Sequence, residues 1–499
     1  MTDGGNVLLI TIDQLTAEAL DGPLAAAAHT PALDRLAASG TVFENHFTVT
    51  VPCGPARASL LTGLYAMNHR AIRNGTPLAG HHVTLGTEAR KAGYEPLLFG
   101  YSDVTPDPTW MNPEDPDLRS YEGVAPGFRE LVEMRFDHAR EWPADLRAKG
   151  YPVEIGEAAP VPEVYRPAGD VSDPRAPALY RAEDSDTAYL TNRTLAALDI
   201  RRNAPWMAHL TYLRPHPPLI APEPYNTLVD PADVPMPVYD RPDHPFLHGW
   251  FQDQQMRGLY HGFDGDCAAL SDHQVATLRA VYLGLLAEVD HHVGRILDWL
   301  DQTDQAGRTL VILTADHGEM LGHKRMWGKE SMFDPALRVP LIIRDPASAA
   351  RGQRVSALTE SVDLAPTVLR WLGRTPPEAM DGHSLLPLLR REDPPDWRRA
   401  TFHEMEFGHP LRPTRIQRHM GLHADHCHAS VLREARWKYV HFAGGVPPLL
   451  FDLDADPHET TDLSQTAQGA PEVTRMARAL LDRMIARRDR RLTGISIGA

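Results

Sequence analysis

The most regular feature of the chain is a short apolar run that ends at a polar residue and is followed by an amphipathic stretch. Residues 6–12 (NVLLITI) form the first such run, which stops at Asp13. A continuous apolar, β-branched run of this length is typical of a buried strand. The same pattern predicts further strands at residues 94–101, 206–213, 309–314 and 339–343.

Helical periodicity fills the intervals between these runs. Pro31 in a first turn and Gly40 after a last turn bound one predicted helix. Residues 271–301 carry apolar side chains at spacings of three and four, and residues 363–372 form another predicted helix. Strands that alternate with helices predict an α/β fold.

The alternation ends near residues 373–377, which suggests a domain boundary. Beyond Pro394 and Pro395, strand candidates lie at residues 400–407, 428–433, 438–442 and 449–453, followed by a helix over 471–488. We therefore predict a catalytic α/β domain over residues 1–375 and a smaller C-terminal α+β domain over residues 376–499. Residues 103–182 are rich in Pro, Asp and Glu with weak periodicity, so they are predicted to be surface excursions rather than core strands.

The amino-acid composition excludes some classes of binding partner. The net charge of -16 and the pI near 5.8 argue against general affinity for nucleic acid or anionic membranes. The first residues have no basic segment, and no run reaches the roughly 18 apolar residues of a membrane span. The three cysteines are far apart and odd in number, which argues against a disulfide framework. We expect a soluble, cytoplasmic protein.

The most specific motif lies in residues 51–63 (VPCGPARASLLTG). Cys53 begins a C-x-P-x-R pattern that ends at Arg57, and a run of small and apolar residues follows up to Gly63. A lone free cysteine is most often a buried structural thiol. The pattern together with its flanking residues favours a functional cysteine instead.

Oxygen-rich side chains follow two of the predicted strands. Asp13 follows the first strand, and Asp316 and His317 follow the strand at residues 309–314. Asp13 alone is equally compatible with a helix cap, but in open α/β sheets the carboxyl ends of strands form the ligand site. Carboxylates with one imidazole suit Ca²⁺ or Mn²⁺ better than Zn²⁺. One divalent metal ion is therefore predicted at Asp13, Asp316 and His317.

These segments resemble the sulfatase family of the alkaline-phosphatase-like superfamily. The resemblance continues over nearly the full length, in residues 100–101, 214–218, 361–367, 381–386 and 451–459. It is strongest to the branch of phosphonate monoester hydrolases and oligomeric arylsulfatases. It implies a large mixed sheet flanked by helices, a small C-terminal antiparallel sheet, and a homodimer or homotetramer.

The resemblance also implies that a separate maturation enzyme converts Cys53 to formylglycine. A hydrated aldehyde offers one hydroxyl that a metal can ionise for attack on sulfur or phosphorus, and a second whose deprotonation expels the product. Cys53 would then join the metal shell as well as act as the nucleophile. Many sulfatases have two adjacent aspartates after the first strand; here the second residue is Gln14, a neutral ligand, which leaves the metal's identity open.

Further candidate site residues are identified by their position in the chain and by the resemblance to the sulfatase family. Arg57 lies four residues after Cys53, so one helical turn places both on the same face. His216, rigidly held by the prolines of residues 214–218, could donate a proton to the leaving group when it is protonated. Lys329 matches the family's sulfate-contacting lysine, although an exposed lysine is the ordinary alternative. Asn74 matches a pocket residue, although Asn-Gly is equally typical of a turn.

Two residues bear on substrate choice. The phosphonate hydrolases place a tyrosine and a threonine two residues apart; here Tyr101 matches the tyrosine, and Asp103 occupies the partner position. A carboxylate near a dianionic substrate costs on the order of several kcal/mol in Coulomb energy at 4 Å before solvation. Asp103 therefore disfavours phosphate monoesters, whereas sulfate and phosphonate monoesters carry a single charge. It could also bind a cationic substrate group.

Together these features predict a hydrolase of small anionic esters. An aryl sulfate is the leading expectation, with promiscuity toward phosphonate monoesters and phosphodiesters, and the alternative is that one of these is the main substrate. A phosphatase or phosphoglycerate-mutase-like enzyme would not need the C-x-P-x-R motif, and its activity would be retained in Cys53→Ser. A non-catalytic binding module predicts the loss of a ligand such as Asp316 or Arg57, and both are present.

A histidine-rich stretch raises the question of a second metal site. His419, His423, His426 and His428 surround Cys427, but their spacing fits no standard zinc pattern. A solvated or subunit-contact loop is the favoured interpretation.

Overall fold

The computed structural model describes residues 4–136, 139–153, 164–169 and 173–489. Its strands are β1 (Asn6–Ile12), β2 (Thr41–Phe47), β3 (Thr50–Val51), β4 (Pro96–Gly100), β5 (Arg129–Glu133), β6 (Met207–Tyr212), β7 (Thr309–Thr314), β8 (Leu341–Arg344), β9 (Gln353–Glu360), β10 (Ala400–Glu406), β11 (His428–Glu434), β12 (Trp437–Phe442) and β13 (Leu449–Asp452). Its α-helices are α1 (Glu18–Asp21), α2 (Pro31–Ser39), α3 (Cys53–Thr62), α4 (Ala66–His69), α5 (Leu85–Lys91), α6 (Glu141–Ala148), α7 (Asp186–Asp199), α8 (Pro245–Trp250), α9 (Asp272–Gln302), α10 (Asp334–Leu337), α11 (Leu364–Trp371), α12 (Leu386–Leu389), α13 (Arg415–Met420) and α14 (Ala470–Ala486).

The larger sheet has eight strands in the order β5-β4-β6-β1-β7-β8-β2-β9. Strand β8 runs antiparallel to both of its neighbours, and the other neighbouring pairs are parallel. Successive residues of β1 face opposite sides, because Leu8 and Ile10 pack into the core that contains α2 and α9, whereas Val7 and Leu9 pack into the core that contains α5 and α11. The expected mixed α/β sheet flanked by helices is confirmed.

The smaller sheet has five strands in the order β13-β12-β11-β10-β3. Its last four strands in sequence pair antiparallel, and α14 packs on it through Met476 and Leu480. Strand β3 joins it by pairing parallel to β10, with Val51 opposite Met405. The proposed division near residue 375 stays a prediction; the β3–β10 pairing shows that residues from both sides of it share this sheet.

The expectation that residues 103–182 hold only surface excursions is wrong in its described part. Strand β5 pairs parallel with β4 at one edge of the large sheet, and Val132 and Trp142 are buried there. An edge strand has one neighbour and keeps charged side chains such as Arg129 and Glu133 at its ends, so its sequence lacks a continuous apolar run. Strands β2 and β9, at the other end of the sheet, also escaped prediction. Strand β9 is the opposite edge strand, and β2, which lies between β8 and β9, carries polar residues such as Glu44 and Asn45.

None of the helices in the described ranges has the length and the apolar character that crossing a membrane requires. Cys53, Cys267 and Cys427 are all free and buried.

Candidate active site

Four neighbouring strands of the large sheet bring the candidate residues to one edge. In the order β4-β6-β1-β7, their carboxyl ends lead into Tyr101, the loop of His216, Asp13 and Asp316. The backbone N–H of Asp13 continues the ladder by donating to the carbonyl oxygen of Tyr212 at 2.9 Å. Residues that are distant in sequence therefore share one site because their strands are adjacent and parallel.

Cys53 enters this site from a different direction. It is the first residue of α3 and is separated from β3 by Pro52 alone, so the pairing of β3 with β10 anchors the start of the helix. Its Sγ lies 3.1 Å from Nε2 of His317, and its side chain is buried. Gly63 ends the helix with φ 69°, a left-handed conformation that favours glycine.

Arg57 joins the two carboxylates. Its Nε donates to Asp316 Oδ2 at 2.8 Å and its Nη2 donates to Asp13 Oδ2 at 3.0 Å, while its Nη1 donates to the backbone oxygen of Tyr101 at 2.9 Å. The guanidinium also lies 4.1 Å from the centre of the Tyr101 ring. The Tyr101 hydroxyl donates to Asp13. Arg57 is 1% exposed, so it is a fixed, buried cation between two acids.

The structure also gathers a set of ligand atoms that could hold a metal ion. Atoms of Asp13, Cys53, Asp316 and His317 all lie within 4.8 Å of one another, and all four residues are buried. Within the described residues, Oδ1 of Asp13 has no hydrogen-bond partner although it is buried. An unpaired buried carboxylate oxygen is costly unless something else binds it, and two carboxylates with one imidazole suit a hard divalent cation. These residues therefore fit the predicted metal.

Burial and charge set the protonation of this group. Burial raises the pKa of the Cys53 thiol well above its ordinary value, and the carboxylate of Asp13 raises it further. Burial would also raise the pKa of Asp13, but the surrounding groups, His216 and Arg57 foremost, hold it below its ordinary value. As an unmodified thiol, Cys53 is therefore a poor nucleophile, because the thiolate is the reactive form.

Gln14 and Lys329 lie beside the candidate metal ligands, together with Glu319, a residue that the sequence analysis missed. Lys329 Nζ donates to Oε1 of Gln14 at 2.7 Å, and the amide nitrogen of Gln14 donates to Glu319. Glu319 also accepts from the backbone N–H of Gly328 at 2.5 Å, next to Lys329. The run Asp316-His-Gly-Glu319 after a strand was the sequence signal that could have identified it.

His216 lies at the same side of the site, in a state that differs from the expected one. Its Nε2 accepts from Lys329 Nζ at 2.9 Å, and its Nδ1 donates to the backbone oxygen of Pro217 at 2.6 Å. Burial and then the positive charge of Lys329 lower the pKa of His216 to about 3. Burial lowers the pKa of Lys329, but nearby Cys53 and Asp13 raise it above its ordinary value. In this arrangement the imidazole is neutral, and Lys329 carries the proton.

Asn74 and Asp103 flank the first turn of α3. Asn74 Oδ1 accepts from the backbone N–H of Gly54 at 2.9 Å. Asp103 is buried, and its Oδ1 has no hydrogen-bond partner among the described residues. Burial raises the pKa of Asp103 well above its ordinary value, so the carboxylate repulsion expected from the sequence is reduced when the group holds its proton.

A cavity of about 600 Å³ opens from the site toward the smaller sheet. Gln14, Asn74, His216 and Lys329 line its inner end. Much of its remaining wall comes from α8, the loop after it, the end of β10 and the start of α13. Lys329 and His216 therefore line a cavity whose walls come from segments next to both sheets.

The histidine-rich stretch lies apart from this site. His419, His423 and His426 are exposed, and Nδ1 of His428 is 3.1 Å from Oε1 of Glu406. Within the described residues, the group at Asp13 is the one cluster of acidic, histidine and cysteine side chains close enough together to hold a metal ion. The loop interpretation agrees with the exposure of these three histidines.

Comparison with known proteins places this arrangement in a family. Residues 5–374 match the family described as Sulfatase. The chain belongs to the sulfatase family. Residues 322–488 of this sulfatase-family protein also match the family described as N-sulphoglucosamine sulphohydrolase, C-terminal.

Individual relatives cover almost the whole of this sulfatase-family chain. The multifunctional alkaline phosphatase superfamily protein PehA of Trinickia caryophylli is 38% identical, over 98% of this chain and 96% of its own length. The structure of the phosphonate monoester hydrolase from Silicibacter pomeroyi has a TM-score of 0.93 and is 44% identical, covering 99% of this chain and 97% of that chain. The corresponding structure from Agrobacterium radiobacter has a TM-score of 0.91 and is 38% identical, covering 98% and 97%.

These comparisons confirm the expected family and the expected class of enzyme, a hydrolase of sulfate or phosphonate esters. Members of this family use a metal ion and formylglycine, in agreement with the buried Asp, Cys and His group.

Proposed function

We propose that this protein hydrolyses esters that carry one negative charge on phosphorus or sulfur, with aryl phosphonate monoesters preferred and aryl sulfates second. The observation that carries the proposal is the buried group of Asp13, Cys53, Asp316 and His317 beside Lys329, at the inner end of a large cavity. Names of relatives support both substrates: two similar structures are phosphonate monoester hydrolases, whereas a choline-sulfatase and an arylsulfatase are among the curated relatives.

The metal in this proposal is one Ca²⁺ or Mn²⁺ held by Asp13, Asp316, His317 and the side chain at position 53, with Gln14 beside them. When bound, it supplies a Lewis acid that lowers the pKa of a coordinated hydroxyl and polarises the ester oxygen. The proposal also assigns the nucleophilic oxygen to Cys53 after its oxidation to formylglycine. The raised pKa of the thiol supports this assignment, since the unmodified side chain holds its proton.

The other residues of the site hold charge and move protons. Arg57 keeps both carboxylates ionised and in place through its two hydrogen bonds to them. Lys329 offsets the charge of the substrate. Because His216 accepts from Lys329, the proton that the leaving oxygen needs is held between these two side chains, 2.9 Å apart. We assign Asn74, Tyr101 and Asp103 to the environment of the transferred group.

A comparison of two substrates tests the order of preference. The values of kcat/KM are measured for one aryl phosphonate monoester and one aryl sulfate with the same leaving phenol. We expect a larger value for the phosphonate; a large excess for the sulfate would restore the order expected from the sequence. Absence of turnover for both would contradict the proposed function.

Mass spectrometry tests the nucleophile. Conversion of the Cys53 side chain from CH₂SH to CHO lowers the mass of its peptide by about 18 Da, and hydration restores one water. An aldehyde-reactive probe should label this peptide and no other cysteine peptide. Cys53→Ala should abolish turnover, whereas Cys267→Ala, at a buried free cysteine outside the site, should retain it. An unmodified Cys53 in fully active protein would contradict the assignment.

The proposal includes two partners that the resemblance implies, a formylglycine-generating maturation enzyme and a second or further copies of this chain in a homodimer or homotetramer. Expression with and without such a maturation enzyme, followed by the mass measurement, tests the first. Light scattering of the purified protein tests the second.

A further inference from the structure

The lining of the 600 Å³ cavity is mainly apolar, and its composition bears on the substrate of the proposed function. Trp250, Trp327 and Phe407 contribute aromatic surface, and Met256 and Ile416 contribute aliphatic surface. Flat apolar walls of this kind favour an aromatic group over a short aliphatic one.

Position within the cavity indicates which arm of the ester lies there. His216 and Lys329 line the cavity, whereas Cys53, Asp13 and Asp316 lie behind them. The leaving oxygen must face the residues that hold its proton, so the aryl group bonded to that oxygen extends outward along the cavity. This placement of the aryl group rests on the proposed function.

Three arginines, Arg73, Arg257 and Arg415, line the same cavity. Within the described chain, none of them lies within 4.0 Å of a carboxylate oxygen. Arg415 is the most confined of the three: its Nε donates to the backbone oxygen of Trp250 at 2.8 Å, and its guanidinium lies 5.1 Å from the centre of the Trp250 ring. Among the described residues, its two terminal nitrogens have no hydrogen-bond acceptor.

A neighbouring arginine on the same helix does have a carboxylate partner. Arg418, three residues along α13 and exposed, donates to Asp253 at 2.9 Å. Two acids also line the cavity. Glu406 is already within 3.1 Å of His428 and 3.8 Å of Arg70, and Glu330 is exposed and forms no ion pair with Arg415 within 4.0 Å. A confined guanidinium without a carboxylate partner is costly unless a ligand pairs with it.

We propose that the preferred substrate has an aromatic leaving group with a second negative charge, and that Arg415 binds this charge at the far end of the cavity. Arg73 and Arg257 increase the positive potential of the same wall. A carboxylate is the simplest group that fits, because it can accept two parallel hydrogen bonds from a guanidinium.

The test uses two esters that differ only in this charge. One has a carboxylate on the phenol ring of the leaving group, and the other has a carboxamide at the same position, so the two groups are similar in size and shape. The carboxamide withdraws electrons more strongly, so leaving-group chemistry alone would favour the carboxamide ester. We expect the wild-type kcat/KM to be about tenfold higher for the carboxylate ester, because one hydrogen bond between charged groups contributes about that factor. In Arg415→Gln this ratio should fall to about one or lower, and in Arg415→Lys it should be intermediate.

Arg418→Gln is the matched control, and its ratio should equal that of the wild type. Unfolding temperatures measured in parallel show whether each variant folds. Turnover of the carboxamide ester with no preference for the carboxylate would overturn this inference and leave the proposed function standing. No turnover of either ester would instead overturn the proposed function. A preference that survives in Arg415→Gln would overturn the role of Arg415.

Discussion

Arg214 offers a quantitative test of how the fold presents His216. Its side chain is fully buried, and its Nη1 donates at 2.9 Å to the backbone oxygens of both His216 and Pro218. Its Nε lies 3.8 Å from Oδ2 of Asp186, and its guanidinium lies 3.9 Å from the centre of the Tyr165 ring. Arg214 therefore holds the loop of His216 against α7.

The change Arg214→Met keeps most of the side-chain volume and removes the charge and the donors. Two carbonyl oxygens, one part-buried and one buried, each lose a partner, at about 1–3 kcal/mol each, and breaking a buried ion pair costs about 3–5 kcal/mol in general. New apolar contact with Tyr165 offsets part of this loss. We expect the free energy of unfolding to fall by about 4 kcal/mol at pH 7, with kcat reduced as well because His216 loses its support.

The loss should also depend on pH. Burial raises the pKa of Asp186 above its ordinary value of 3.8, and Arg214 lowers it. An acid whose pKa is raised in the folded state destabilises the fold as the pH rises above its unfolded value, since the unfolded chain releases the proton more easily. Without Arg214 the pKa of Asp186 rises further, so the difference in stability between wild type and variant should be larger at pH 8 than at pH 5.

Urea denaturation at both pH values measures these differences. Arg181→Met, at an exposed arginine with only a surface ion pair to Glu183, should cost less than about 0.5 kcal/mol at either pH. A loss below about 1 kcal/mol for Arg214→Met, or a loss that shrinks as the pH rises, would refute this reasoning.

Other predictions concern the metal and the residues around it. Adding Ca²⁺ or Mn²⁺ to chelator-treated protein should raise the unfolding temperature, because the ion binds the folded state; in Asp316→Asn the rise should be much smaller, and an equal rise would exclude this site. Glu319→Ala should lower kcat by about tenfold or more and weaken metal binding measured by calorimetry. The reason is that the Gln14 amide and the backbone N–H of Gly328 both lose their acceptor. If the metal affinity is unchanged, Glu319 supports Lys329 but not the metal site. Lys329→Met should raise the pKa of His216, because a nearby positive charge is removed, and imidazole titration by NMR should detect the change. A pKa that stays near 3 would show that burial alone sets it.

The sequence by itself determined the centre of the fold and the residues of the site. Strands β1 and β7 were predicted with their observed bounds, Asn6–Ile12 and Thr309–Thr314, because a strand that is buried on both faces is apolar along most of its length. The polar residues that follow them, Asp13 and Asp316, were identifiable because each apolar run stops abruptly. The C-x-P-x-R motif indicated Cys53 and Arg57 for a similar reason, since the motif and its flanking residues lie within one short segment, residues 51–63.

Only the tertiary structure decided how these residues interact. The edge strand β5 has charged residues at its ends, so no local pattern marked it. The neutral state of His216 follows from its burial and from the positive charge of Lys329, which lies 113 positions away in sequence. The cavity joins Arg73, Trp250 and Arg415, from three separate segments. Periodicity reports whether one segment is buried, but a contact between distant segments depends on how the sheets and helices pack, and that packing sets the charges and the shape of the pocket.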